Sequence, residues 1–174
     1  MIPRAGTLIS LAACLLTTGC GDLLSLHALF TEQDRVFDAA IEGRWEEEDD
    51  VLVVERSGDR YAATLKSKRD PSETVNYEVH LVDINGVRFA DLRPEDQIGH
   101  MFLRVQVTGD QLRIAFLDSE WLRQRVAHEE ADIEAGRKQA VRTARTPELR
   151  SLVAEYAREP RAYDKDEAVF RRAK

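Results

Sequence analysis

Histidines and carboxylates are the side chains of this chain best suited to metal binding or proton transfer. The four histidines are His27, His80, His100 and His128. No two of them stand in a His-x-x-x-His or His-x-His pair, the spacings that aim two imidazoles at one metal ion. The sequence also contains no Gly-x-Ser-x-Gly nucleophile elbow and no glycine-rich phosphate loop. We therefore expect no catalytic, cofactor-binding or metal site, and a protein that is not an enzyme.

Acidic residues form two groups that could bind a metal ion or transfer a proton. The run Glu46–Asp50 has five consecutive acids, whereas a calcium loop needs spaced oxygen ligands and a glycine at its sharp turn. Alternate side chains of this run point to opposite faces, so we interpret it as a solvated hairpin end. Asp91, Glu95 and Asp96 fall near the ends of predicted strands, where polar loop composition accounts for them.

Both cysteines of the chain, Cys14 and Cys20, lie within its first 20 residues. The remaining sequence can form no disulfide and offers no thiolate for catalysis or zinc binding. An exported domain of this kind must take its stability from its hydrophobic core.

Residues 1–19 have the pattern of a secretory signal: Arg4, an apolar stretch over residues 5–16, and small residues before Cys20. The stretch is too short to span a bilayer. A cysteine directly after Gly19 resembles the lipobox of bacterial lipoproteins, which implies removal of residues 1–19 and lipidation of Cys20. Thr17 stands where that pattern prefers leucine. Cleavage before Cys14 is the alternative, but it would leave an apolar core of only about six residues.

The lipoprotein resemblance implies a membrane anchor through lipid on Cys20. Stable anchoring needs about two acyl chains or more, and the pathway supplies three. Gly21 follows Cys20 where inner-membrane retention uses aspartate, so we expect the outer membrane, on its periplasmic side. Residues 20–30 are predicted to be the lipidated cysteine and a short apolar tether, and residues 31–174 a single globular domain.

Composition agrees with a folded, exported domain. The chain of 174 residues is 43% hydrophobic and 33% charged, with a formal net charge of −7. Its C-terminal third is mildly basic, which we interpret as a solvated helical face, with contact to anionic lipid or a partner as the alternative. The arginines there have no interleaved aromatic residues, so we expect no nucleic-acid binding.

Alternation of apolar and polar residues begins at Arg44 and predicts seven antiparallel strands. In the best of them Val75, Tyr77, Val79 and Leu81 face one way, and His80 faces the other, polar side. Asn85-Gly86 is the strongest hairpin signal because both residues tolerate positive φ. The predicted strands are Arg44–Glu47, Val51–Arg56, Tyr61–Lys66, Val75–Leu81, Val87–Arg93, Met101–Val107 and Leu112–Phe116.

Helices are predicted on both sides of this meander. A short helix of about ten residues starts near Thr31 and ends at Gly43. Asp118 or Ser119 can cap another, with Trp121, Leu122, Arg125 and Val126 facing inward. Residues 128–145 are predicted to form either a hairpin that turns at Gly136 or a continuous helix.

The sequence Thr146-Pro147 starts a helix that Pro160 ends. Its apolar stripe is Leu149, Leu152, Val153 and Tyr156. The expected fold is therefore α+β: an antiparallel meander or partial barrel of about seven strands, a short N-terminal helix, and C-terminal helices packed on the sheet.

Gly43-Arg44-Trp45 opens the first predicted strand. This triplet resembles the Gly-x-Trp signature of lipocalins, in which the tryptophan plugs the closed end of an eight-stranded ligand-binding barrel. The order of lipobox, helix, meander and helical tail is similar to that of small uncharacterised bacterial lipoproteins, which imply no reaction. We expect a lipid-anchored, non-enzymatic envelope lipoprotein that binds an envelope partner or a hydrophobic ligand. The alternative is a lipocalin-like carrier of a small hydrophobic ligand.

Overall fold

Twelve β-strands and one α-helix form the regular structure of the residues that the computed structural model describes. These residues are 23–95, 97–118, 121, 124–125, 129–134, 137–163 and 167–174. The predicted signal, Cys20 and Ser119 lie outside them, as do Leu122, Val126, His128 and Gly136. The strands are β1 (Leu23–Ser25), β2 (Arg35–Val36), β3 (Gly43–Glu46), β4 (Asp50–Ser57), β5 (Arg60–Ser67), β6 (Thr74–Ile84), β7 (Val87–Pro94), β8 (Met101–Thr108), β9 (Gln111–Phe116), β10 (Glu129–Glu134), β11 (Arg137–Arg142) and β12 (Ala168–Arg172), and the helix is α1 (Thr146–Tyr156).

Eight of these strands close into an antiparallel barrel. The consecutive strands β3 to β9 each pair with the next, and β12 pairs with both β9 and β3, so that every strand has two neighbours. All seven predicted strands are confirmed as β3 to β9. The predicted fold class is confirmed in part: the antiparallel strands are present, but the protein is mostly β, and the expected meander or partial barrel of about seven strands is a closed barrel of eight. The eighth strand, β12, was not predicted.

The barrel interior is the larger of two apolar cores. Alternate residues of each strand point inward, so β6 contributes Tyr77, Val79 and Leu81 to the interior. Val79, on the predicted apolar face of β6, and Leu103 of β8 are both almost fully buried. The interior core consists of Ile41, Trp45, Leu52, Val54, Tyr61, Ala63, Leu65, Tyr77, Val79, Leu81, Ala90, Leu92, Leu103, Val105, Leu112, Ile114 and Phe170.

A second core lies outside the barrel, between α1 and the outer faces of β6 to β9. Leu149, Val153 and Tyr156 form the buried stripe of α1, as predicted. The helix starts at the predicted Thr146-Pro147, but the Thr146 hydroxyl donates to Ala28 O at 2.8 Å instead of capping it. No helix in the described part of the chain is long and apolar enough to cross a membrane.

The predicted N-terminal helix over Thr31–Gly43 is wrong. Two 3-10 turns, Glu32–Asp34 and Ala39–Ile41, flank β2, which pairs with residues 81–82 of β6. The physical reason is the length of β6: it extends past its last pair with β5, Tyr61–Val79, so its next backbone groups need another partner. Strand β2 supplies that partner, and extended residues cannot at the same time be helical.

In the C-terminal region α1 is the helix whose bounds the structure describes. Trp121, in the other predicted helix, is also helical, and Leu122 and Val126 of that helix lie outside the described residues. Of the two alternatives for residues 128–145, strands are correct, since β10 and β11 form an antiparallel pair. Asp118 accepts a hydrogen bond from Trp121 N at 2.7 Å, as a capping residue would. Trp121 packs edge-on against Tyr156 with ring centroids 5.4 Å apart.

Residues 23–30, the described part of the predicted tether, lie along the barrel wall. Strand β1 pairs in parallel with β11. Ser25 and His100 exchange two backbone hydrogen bonds, of 2.9 and 2.8 Å. Phe30 stacks on the His80 ring with centroids 4.1 Å apart. His80 thus points outward as predicted but is only 7% exposed, because this segment covers it.

This burial changes what a substitution at His80 should do. We expect Leu103→Ala, which leaves a cavity in the barrel, to lower the free energy of unfolding by about 2–5 kcal/mol. His80→Ala should cost about 1 kcal/mol through the lost ring stacking, more than an exposed strand position would. Urea denaturation of both variants checks this. A loss at His80 equal to that at Leu103 of β8 would contradict the outward assignment of His80 on β6.

Candidate ligand-binding site

Trp45 closes one end of the barrel. Its side chain is fully buried, and its Nε1 donates a hydrogen bond to Ile41 O at 2.8 Å. Arg172 of β12 is its cross-strand neighbour, and the guanidinium carbon lies 4.1 Å from the centroid of the indole ring. The cation therefore rests on the π face of a tryptophan, the most favourable aromatic partner for it.

Gly43 makes room for this arginine. A Cβ atom at Gly43 would lie 2.8 Å from Arg172 Nη1, and the residue has φ +127°, which side chains rarely tolerate. Arg172 donates to Glu42 O at 2.8 Å and to Ala40 O at 2.6 Å. The spacing of the Gly-x-Trp triplet thus has a physical reason: the glycine admits the arginine, and the tryptophan two residues later receives it.

The segment Asp38–Glu42, which we call the plug, covers this end of the barrel. Ile41 points from it into the interior core. Besides the contacts with Arg172 and Trp45, Asp38 N donates to the Tyr61 hydroxyl at 2.7 Å, and Arg88 Nη1 donates to Asp38 Oδ2 at 3.2 Å. We call the end of the barrel that the plug covers the plug end. The turns 58–59, 85–86 and 109–110 also lie there. The opposite, far end carries the loops 47–49, 68–73 and 97–100.

An apolar cavity of about 50 Å³ remains inside the barrel. Burial raises the pKa of Tyr77 on its wall well above the usual value. An apolar cavity of about 150 Å³ in a protein core stays dry and binds benzene, so this smaller space suits a few apolar atoms. Its lining is Ile41, Leu52, Val54, Ala63, Leu65, Tyr77, Val79, Ala90, Leu92, Leu103, Val105, Leu112, Ile114 and Phe116.

A polar groove of about 520 Å³ adjoins this cavity on the barrel wall. The ladder between β7 and β8 ends at the pair Phe89–Arg104, so the strands separate toward the plug end. Ile41 and Val105 line both the groove and the cavity. The charged residues of the groove are Asp38, Asp83, Arg88 and Arg104, so its formal charge is balanced. The two spaces together can accept a molecule with an apolar and a polar part.

Asp91 and His100 form a buried pair outside the barrel. Asp91 Oδ1 lies 2.6 Å from His100 Nδ1, and Asp91 Oδ2 accepts from Leu29 N at 2.6 Å. The nearby Ser25 is fully buried, and its hydroxyl donates to His27 O at 2.8 Å. This geometry fixes residues 25–29 on the barrel and presents no nucleophile to solvent.

The acidic run also has structural partners. Arg69 makes two hydrogen bonds with the Asp49 carboxylate, both of 2.7 Å. Hydrogen bonds from Lys68 and Arg44 lower the pKa of Glu46. Across the described residues, no three histidine, cysteine or acidic side chains are arranged to hold a metal ion.

Sequence reasoning found Gly43 and Trp45 but missed Arg172 and the plug. Alternation of Ala168 and Phe170 before Arg172 was the available signal for β12. Comparison of the chain with protein-family models, with curated proteins and with solved structures found no match.

Proposed function

We propose that this chain is a non-enzymatic binding module of the bacterial envelope, anchored by lipid on Cys20, that takes an apolar group into its barrel. The observation that carries the proposal is the barrel interior. A closed ring of strands surrounds an apolar cavity, and Trp45 and Arg172 pack at the plug end of this ring. Of the two functions expected from the sequence, this geometry favours the carrier of a small hydrophobic ligand.

The outer surface gives less support to an extended protein interface. Among the described residues, the large apolar side chains that are exposed are Leu26, Phe37, Ile98 and Val169. Phe37 is covered on one face by the Arg56 guanidinium, 4.1 Å from its ring centroid. A stable protein interface buries roughly 800 Å² on each partner, far more than such separate side chains offer.

Cavity size limits the class of ligand. Drug-sized molecules occupy pockets of roughly 300–1,000 Å³, whereas the interior cavity has about 50 Å³. The end of a single hydrocarbon chain fits this space best, with a few of its carbons inside the barrel and any polar part in the groove between β7 and β8. Half-buried Met101 and Phe116 pack against the interior core, and their side chains can move to widen the space.

Filling the cavity should weaken ligand binding without harming the fold. We expect a single-chain fatty acid with a fluorophore at its polar end to bind residues 21–174, which contain every contact described above, saturably and one to one. Ala63→Val adds two methyl groups to the cavity wall and should weaken binding about tenfold or more, equivalent to about 1.4 kcal/mol. Fluorescence titration measures the affinity, and bound probe should also raise the melting temperature.

Ala62→Val is the matched control. Ala62 is the neighbouring residue on β5, points outward and is exposed, so the same added atoms lie in solvent. Its affinity for the probe should equal that of the unchanged chain. Absence of saturable binding in the unchanged chain would refute the proposed function, and equal binding by the Ala63→Val protein would place the ligand outside the cavity.

A further inference from the structure

We propose that the ligand of the barrel carries a carboxylate, and that Arg88 binds this group in the groove between β7 and β8. This inference rests on the proposed function and names the chemical class of the ligand's polar part. Arg88 pairs with Asp83 of β6, and the next pair on the same face, Leu81 with Ala90, belongs to the interior core. Because side chains alternate along a strand, Arg88 projects from the inner face of the wall, where it lines the groove.

The guanidinium of Arg88 has hydrogen-bonding capacity that its protein neighbours do not use. Nη1 donates to Asp38 Oδ2 at 3.2 Å, and Nη2 lies 3.7 Å from Asp83 Oδ2. Nε is buried and has no hydrogen-bond partner among the described residues. Bonds between a guanidinium and a carboxylate usually measure about 2.7–2.9 Å. Nε and Nη2, the two donors that bind a carboxylate side-on, therefore both lack an acceptor at that distance.

Arg69 shows the same pair of donors with a carboxylate in place. Its Nε and Nη2 donate to the two oxygens of Asp49, each at 2.7 Å. The Arg88 side chain is 29% exposed, so a rotation about its flexible bonds can present the same two donors to a ligand in the groove. Binding of this kind would give the buried Nε the acceptor that it lacks, which is favourable because an unsatisfied buried donor costs free energy.

The two carboxylates of the groove are less available to a ligand. Asp38 Oδ1 accepts from Ala40 N at 3.0 Å, and Asp83 Oδ1 accepts from Gly86 N at 3.0 Å. Their second oxygens are the ones that face Arg88. The unused capacity of the groove therefore consists of donors on a cation, which favours an acidic head group over an amine.

Arg104, the other cation of the groove, already has partners. Its guanidinium carbon lies 4.0 Å from the centroid of the Tyr163 ring, and it forms an ion pair with Glu167. It is also paired with Phe89, a residue of the second core outside the barrel, so its side chain points away from the cavity. Arg88 is therefore the arginine that can hold a ligand whose chain enters the barrel.

The distance from Arg88 to the cavity suits a hydrocarbon chain. Ala90, two residues along the same face of β7, lines the cavity. Two residues of a strand span about 7 Å, a distance that a few methylene groups cover. A carboxylate bound to Arg88 therefore places the end of a medium-length chain among the apolar side chains of the interior.

Competition between compounds that differ only in their head group tests this assignment. Octanoic acid, octanol and octylamine are each added at neutral pH to residues 21–174 carrying the labelled fatty acid of the cavity titration. We expect octanoate to displace the label at a concentration at least about tenfold lower than the other two require. A preference for octylamine, or equal displacement by all three, would overturn the inference and leave the proposed function standing. Absence of any binding by the labelled fatty acid would refute both.

Variants of two arginines on β7 locate the carboxylate. Arg88→Met keeps an unbranched side chain without the guanidinium, and octanoate and octanol should then bind equally. Arg93→Met is the matched control, because Arg93 is exposed and donates to Glu78 Oε2 at 2.7 Å on the outer face, so the preference for octanoate should be unchanged. Persistence of the preference in the Arg88→Met protein, or its loss in the Arg93→Met protein, would overturn the assignment.

Asp38→Asn predicts a change in the opposite direction, which damage to the fold would not produce. Asparagine keeps an oxygen that can accept from Ala40 N but removes the negative charge that competes for Arg88. Octanoate should therefore bind at least about threefold more tightly than to the unchanged chain, whereas the affinity for octanol should stay the same. Weaker binding of octanoate, alone or together with octanol, would overturn the inference.

Discussion

Trp45→Ala is expected to lower the free energy of unfolding by about 3–5 kcal/mol, the usual cost of truncating a fully buried tryptophan. The indole fills the plug end of the barrel, satisfies Ile41 O and carries the Arg172 guanidinium on its face. Its removal leaves a cavity and releases one of the bonds that hold the plug. Urea denaturation of residues 21–174, followed by circular dichroism, measures the loss without relying on tryptophan emission.

Variants of the two neighbouring arginines separate the stacking contribution from general effects of charge. Arg172→Met keeps an unbranched side chain but removes the cation and the bonds to Ala40 O and Glu42 O, and should cost about 1–3 kcal/mol. Arg171→Met, on the same strand, removes a largely exposed guanidinium whose nearest carboxylate is 3.9 Å away, and should change stability by less than about 0.5 kcal/mol. Equal costs for the two arginines would contradict the assigned role of Arg172.

Asp91→Ala should be the most damaging change on the outer wall, at about 2–4 kcal/mol. The carboxylate is 1% exposed, accepts a hydrogen bond from Leu29 N and makes a second hydrogen bond with His100 Nδ1. Its removal leaves a buried backbone donor without an acceptor and releases the segment that covers His80. Hydrogen exchange at the Leu29 amide should therefore accelerate, and chemical denaturation should report the global loss.

Asp110→Ala supplies the comparison for a carboxylate in solvent. Its side chain is 70% exposed in the turn between β8 and β9, so its removal should leave both stability and Leu29 exchange unchanged within about 0.5 kcal/mol. If Asp91→Ala behaves in the same way, the other contacts of the N-terminal segment, such as the backbone bonds between Ser25 and His100, are enough to hold it in place.

The strands of the meander could be predicted because each one carries its own signal. Alternation predicts which residues of β6 face inward, and Asn85 and Gly86 adopt positive φ values, 54° and 73°, which these two residue types tolerate. The start of α1 was equally local, since Pro147 suits the first turn of a helix. Features that depend on a few neighbouring residues could therefore be predicted from the sequence.

Features set by distant partners could not. Strand β12 is five residues long and includes two arginines, and it is a strand because β9 and β3 both offer unpaired edges. Residues 35–36 are extended because β6 continues beyond its last pair with β5, and β2 pairs with the backbone groups of β6 that are left over. Arg172 stacks on Trp45 and also donates to Glu42 O, which is 130 residues away in the sequence. No local pattern of residues predicts which of the many arginines packs on this tryptophan.

Closure of the barrel by β12 also constrains the order of events as the chain folds. A chain paused before Ala168 holds seven strands whose two outer members, β3 and β9, present open backbone edges that can recruit other chains. Pairing of β12 with β9 must then close the loop of residues 117–167, a non-local step that slows folding. Until it is complete, the newly made protein is at its most vulnerable to self-association, and a holding chaperone that shields strand edges would protect it during that interval.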